Sequence, residues 1–267
     1  MKTLLRSVLF KTLRDQRQSL MWWVIGMMVL IAITVAFYPS ISGTPEFDEL
    51  YKEIPEALMR AFAGGVADFT SPVGFLNSQL FILMVPLLFL IFALTAGSGA
   101  IAGEEEKGTL DLLLSNPVKR RRVVAEKFVA MAVGISVLGL ALWLGTAISA
   151  KAVGMDIGIG RIAEASLSAT LLGLAFGAIA MAVGCASGKR SLSIWVTAAL
   201  GIAAYFLNAM GPIVDGLEER LSPFYYYLGS DPLANGLDLH HVGVLIGLSA
   251  AAMATALITF ERRDLAI

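Results

Sequence analysis

LFILMVPLLFLIFALTAGSGAIA (Leu80–Ala102) runs directly into GEEEKGTLDLLLSNPVKRRRVVAEK (Gly103–Lys127), and that junction decides the fold. The first stretch carries no charge, and as a helix it reaches about 35 Å, enough to cross roughly 30 Å of hydrocarbon. The second is a polar island. It holds three consecutive carboxylates (Glu104, Glu105, Glu106), an apolar run (Leu110, Leu112, Leu113, Leu114), a proline stop at Pro117 and four cations (Lys119, Arg120, Arg121, Arg122). Carboxylates suit the positive end of a helix dipole and cations the negative end. Pro117 disfavours helix at Asn116. The pattern predicts a short helix over residues 104–115 inside a loop that faces water. A plain connector has no need of the leucines.

Composition agrees. The chain has 267 residues, of which 57% are hydrophobic and 15% charged. Soluble domains carry about 25% charge. The expected fold is an all-α polytopic membrane protein, a single transmembrane domain over 1–267. Six runs are long enough to span: Leu20–Phe37, Leu80–Ala102, Phe128–Ala150, Ala165–Ala186, Ser191–Met210 and Val242–Phe260. The lone Cys185 excludes an internal disulfide framework and a Cys-rich metal site. No cleavable signal peptide is expected, because the first apolar run follows a long basic lead.

The cations set an expected orientation. With the N-terminus in the cytosol, 15 of the 20 lysines and arginines fall on the cytosolic side. Both termini are then cytosolic, and so is the 103–127 loop, in a cell (inner, cytoplasmic) membrane.

The segments between spans carry their own patterns. Leu4, Leu5, Val8, Leu9, Thr12 and Leu13 oppose Arg6, Lys11, Arg14 and Arg17, which predicts an amphipathic interfacial helix over 3–19. In the first outer loop (38–79), Phe47, Leu50, Tyr51, Ile54, Leu58, Met59 and Phe62 share one helical face, with Gly64, Gly65 and Pro72 as terminators. The last outer loop (211–241) holds Phe224, Tyr225, Tyr226 and Tyr227. It reads either as short broken helices covered by protein or as an interfacial aromatic belt. Gly173 and Gly177, and Gly243 and Gly247, have the four-residue spacing that lets helices approach closely.

Several chemistries find no support. Gly184 to Arg190 (GCASGKR) is one residue short of a P-loop, lacks its final Ser or Thr, and follows a span instead of a strand. It reads as a tight turn, so no cofactor site is expected in this chain. His240 and His241 are the only histidines, and a metal needs three or four ligands. No carboxylate lies at mid-depth to relay protons, and Asn208 reads as a helix-to-helix hydrogen bonder. No catalytic pair lies at membrane depth, so the chain is not expected to be an enzyme.

The loop GEEEKGTLDLLLSNPVKRRRVVAEK resembles the cytosolic loop of ABC-2-type transporter permeases, the membrane subunits of ABC exporters (type V exporter-like). Its core Glu105-Glu106-Lys107-Gly108-Thr109-Leu110 is the most specific part. YPSI (from Tyr38), IPEALMRAF (Ile54–Phe62) and LSPFYYYLGSDPLANGL (Leu221–Leu237) support it, so that the resemblance covers the whole chain. The resemblance implies that the loop is a coupling helix docking on a separate ATP-binding subunit. Glu104, Glu105, Glu106, Gly108, Thr109, Leu110 and Asp111 would be its docking positions. It also implies two permease copies, identical or related, with ATP and magnesium held by the partner ATPase. Membrane lipids are further expected partners; nucleic acid is not. Apolar walls suit an amphipathic or hydrophobic cargo. Two other classes fit less well: a membrane scaffold or sensor recruiting a soluble protein through the same loop, and a lipid-processing enzyme.

Overall fold

The structure, a computed structural model, describes residues 8–42, 69–110, 118–211, 214 and 218–263. The amphipathic face between Phe47 and Phe62 and the run 111–117 lie outside these residues.

Among the described residues the chain is helical, without strands. The helices are α1 Val8–Ala36, α2 Tyr38–Ile41, α3 Pro72–Leu76, α4 Met84–Ala100, α5 Ala102–Glu106, α6 Arg120–Ala152, α7 Ile159–Ser187, α8 Arg190–Met210, α9 Pro223–Leu228 and α10 Leu239–Arg262. A π turn (Asn77–Phe81) joins α3 to α4, and a 3₁₀ turn (Glu219–Leu221) precedes α9. Six of these segments are long and apolar enough to cross a membrane.

The spans differ from the expected ones at their edges. The interfacial helix over 3–19 and the span from Leu20 are one continuous helix from Val8. The reason is local: no proline or glycine lies between Val8 and Leu20 to break it. The amphipathic stripe survives as the lower part of α1, with Lys11, Arg14 and Arg17 exposed while Leu9 and Leu13 are half-buried. Pro72 starts a helix, which the sequence reading did not expect. It follows Ser71, whose Oγ accepts from the Gly74 N–H at 3.1 Å, and proline is tolerated in a first turn because its missing N–H would be unsatisfied there. α6 begins at Arg120, so Arg120–Lys127 is helix and not loop. α7 begins at Ile159, because Arg161 and Glu164 satisfy each other at 3.1 Å and need not lie outside the helix.

α7 is the axis of the bundle. α4 and α10 pack along it, with α6 and α8 beside them, while α1 packs on α6. Of the most apolar stretch of α7, 72% is buried, against 17% in each of the first and last spans. Glycine makes the central contact possible. A Cβ on Gly97 of α4 would collide with the Gly177 carbonyl oxygen of α7, and one on Gly173 would lie 2.9 Å from the Phe89 ring. The expected pair Gly173 and Gly177 is therefore used within the chain. Gly243 and Gly247 meet nothing within 4 Å.

Both described ends lie at the same end of the bundle as residues 102–110. The Leu9 N–H donates to Glu126 Oε2 of α6 at 3.0 Å, and Arg263 pairs with Glu105. At the far end α9 is covered by protein, as the broken-helix reading expected. The Tyr227 hydroxyl donates to the Phe81 carbonyl at 2.6 Å, and Ser168 Oγ donates to the Tyr227 carbonyl at 3.0 Å. Burial pushes the Tyr227 phenol well above its ordinary value, which keeps it a neutral donor. Asn77 Nδ2 donates to Asp231 Oδ1 at 2.9 Å. The π turn is thus held from two sides.

Candidate functional site: the loop end of the bundle

α4 stops at Ala100, Ile101 turns the chain, and α5 carries the three carboxylates over one short helix. Gly108 follows at φ +67°, a left-handed conformation that glycine adopts without strain. The expected continuous helix from 104 is therefore interrupted at Lys107 and Gly108. Thr109 Oγ1 donates back to the Glu104 carbonyl at 3.1 Å and closes the turn.

Leu110 then re-enters the protein. It is fully buried with Ile101, Val123, Val124, Met181, Cys185, Ala256 and Phe260, a small core shared by α4, α6, α7 and α10. An apolar side chain that can reach such a core gains more from it than from water. Leu110 is thus an internal anchor, whereas the sequence suggested an outward leucine. Asp111, Leu112, Leu113 and Leu114 lie outside the described residues.

The carboxylates face three other segments of the same chain. Glu104 Oε1 lies 2.6 Å from Lys127 Nζ of α6. Glu105 Oε1 pairs with Arg263, just past α10. Glu106 Oε1 accepts from the Arg190 backbone N–H at 2.8 Å, which caps the start of α8. Lys127 is 2% exposed, so its charge depends on Glu104 for compensation. Glu106, Lys107, Gly108 and Thr109 are exposed and form the rim of the loop.

The basic run has internal work as well. Arg120 Nη1 donates to the Arg263 carbonyl at 2.9 Å, satisfying an orphan acceptor past the last turn of α10. Arg121 pairs with Glu261, and Arg122 Nε meets Glu126 at 2.7 Å. These pairs offset the cost of three cations at a helix N-terminus. Arg263 Nη1 also donates to the Cys185 carbonyl at 2.8 Å.

Sequence reasoning found the carboxylates but not their partners. Lys127, Arg190 and Arg263 counted only as cations of a basic side. Lys127 had a signal, since it is a lone cation at the start of an apolar run. Nothing local links residue 105 to residue 263.

Six apolar helices among the described residues, one of them the buried axis, make this a multi-pass membrane protein, and the comparisons place it further. The model of the ABC-2 family transporter protein matches residues 6–265. A protein of Pseudomonas aeruginosa (strain PAO1) named "Probable ABC transporter permease protein NosY" is 30% identical over 207 residues, covering 72% of this chain and 70% of that protein. A protein of the same name from Stutzerimonas stutzeri is 32% identical over 163 residues, covering 57% of this chain and 54% of that protein. The chain belongs to the ABC-2 family of transporter proteins. It is a transporter permease subunit, and this class implies an ABC ATP-binding partner in general.

Proposed function

We propose that the chain is the membrane half of an ATP-driven exporter, coupled to a separate ATP-binding subunit through the 102–110 loop. The observation that carries the reading is the rim Glu106–Thr109, exposed on a turn whose base is bonded to three helices. A partner can grip such a rim and move the bundle with it. Glu104 and Glu105 support the rim from behind, Leu110 anchors it, and Glu106, Lys107, Gly108 and Thr109 make the contact.

The basic end faces the cytosol in this reading, with both termini, because cations accumulate on that side of a cell membrane. ATP and magnesium belong to the partner. A second permease copy, identical or related, completes the pathway. An amphipathic or hydrophobic cargo is favoured by an apolar groove of about 250 Å³ between α4 and α8, lined by Leu83, Leu87, Gly201, Tyr205, Phe206 and Phe224.

The test is co-purification with the ATP-binding subunit from cells that make both. Lys107→Glu with Thr109→Arg should reduce recovery of the ATPase by about tenfold or more, the loss of a tightly desolvated polar contact. Asp156→Arg, exposed on the turn between α6 and α7 at the far end, should leave it unchanged. Recovery unaltered by the rim variant would leave the loop without its proposed role. ATPase activity independent of this chain would favour a scaffold.

A further inference from the structure

We infer that Arg263 is the link through which movement of the 102–110 loop reaches the last span and the axial helix. This rests on the reading of that loop as the ATPase contact. One side chain joins the parts. Its guanidinium binds Glu105 on α5 and the Cys185 carbonyl in the last turn of α7, while its own carbonyl holds Arg120 at the start of α6.

The guanidinium also fills the space beside Gly188, which ends α7 at φ +67°; a Cβ there would collide with it. An alanine at 188 would be strained twice, by its backbone and by the arginine. The turn between α7 and α8 is thus shaped around the end of the chain's last helix.

The arrangement does more than hold the helices together. The Arg263 and Glu105 side chains are only 19% and 24% exposed, so the pair is largely shielded from water and each charge depends on the other. The small core around Leu110 and Phe260 already holds these helices together by burial. What the pair adds is direction. Arg263 is fixed at two points, its guanidinium on the Cys185 carbonyl and its own carbonyl under Arg120, so a displacement of Glu105 pulls on α10 and on the end of α7 together. Glu104 on Lys127 does the same for α6, and Glu106 on the Arg190 N–H for α8.

The test uses the complex of this chain with its ATP-binding subunit in membranes. Cys185 is the built-in probe: it is fully buried, and its carbonyl is held by Arg263. The rate of labelling by a small maleimide is measured with and without ATP and magnesium. The parent complex should change its labelling rate several-fold on nucleotide addition. Arg263→Gln should recover the ATPase at the parental yield, and Arg263→Gln and Glu105→Gln should each label faster at rest and lose the nucleotide response. Arg263→Lys, which keeps the charge for Glu105, should retain part of it.

A parent complex that does not form overturns the reading of the loop as the ATPase contact. A parent that forms without a nucleotide response, or variants that respond like the parent, overturn the link alone. Loss of the ATPase in Glu105→Gln but not in Arg263→Gln would make Glu105 a docking contact and Arg263 a bystander. If Arg263→Gln fails to fold, Glu105→Gln cuts the same link from the loop side and decides the matter.

Discussion

Glu104 and Lys127 are unequal partners, and their inequality can be measured. Lys127 is buried, whereas 28% of the Glu104 side chain is exposed. Removing the carboxylate strands a buried cation; removing the cation leaves a carboxylate that water can reach. Glu104→Ala should therefore cost about 3–5 kcal/mol, while Lys127→Met, which fills the same space with an apolar chain, should cost little. Thermal unfolding of the purified protein in detergent checks this, and equal losses from both would contradict it. At this scale the sequence was half legible. Three consecutive carboxylates in an apolar chain advertised themselves as a site. Their partners are 23, 158 and 84 residues away, and helix packing alone brings them together. The sorting of Leu110 inward was also hidden, because it depends on Gly108 breaking the helix.

The spans were legible because an apolar run of about 20 residues has few other solutions. Their ends were not. Polar residues at Arg120, Arg161 and Glu164 read as loop, yet each is satisfied by a neighbour and stays in the helix. Pro72 read only as a terminator, and its opening of α3 was missed, since a proline at a first turn looks the same in sequence as one after a last turn. The contact between α4 and α7 also makes a prediction. Gly97→Ala puts a methyl group against the Gly177 carbonyl, a backbone atom that cannot step aside. A loss of about 1–3 kcal/mol is expected, as for other overpacked cores. Gly26→Ala on α1 meets nothing within 4 Å and should be neutral or slightly stabilising, because alanine is the better helix former. The midpoint of thermal unfolding separates them, and an unchanged Gly97→Ala protein would show that the two helices can part at no cost.

For the whole molecule the open variable is sidedness. Cys185 is fully buried and reports poorly on it, so exposed positions are needed. In a Cys185→Ala background, Lys189→Cys lies between α7 and α8 at the loop end, and Asp156→Cys lies between α6 and α7 at the far end. With the basic end in the cytosol, a membrane-impermeant thiol reagent should label position 156 in intact cells and position 189 only after permeabilisation. The opposite pattern would invert the molecule and place the ATPase contact on the wrong side. The position of α7 in the chain has a consequence for biogenesis. The axis of the bundle is its fourth span, so during synthesis α4 and α6 enter the membrane before the helix they pack against exists. α1 and α6 can pair at once. The Gly97 face of α4 stays bare to lipid until α7 emerges from the ribosome, and chains truncated after Ala152 should therefore be removed by membrane proteases as unfinished.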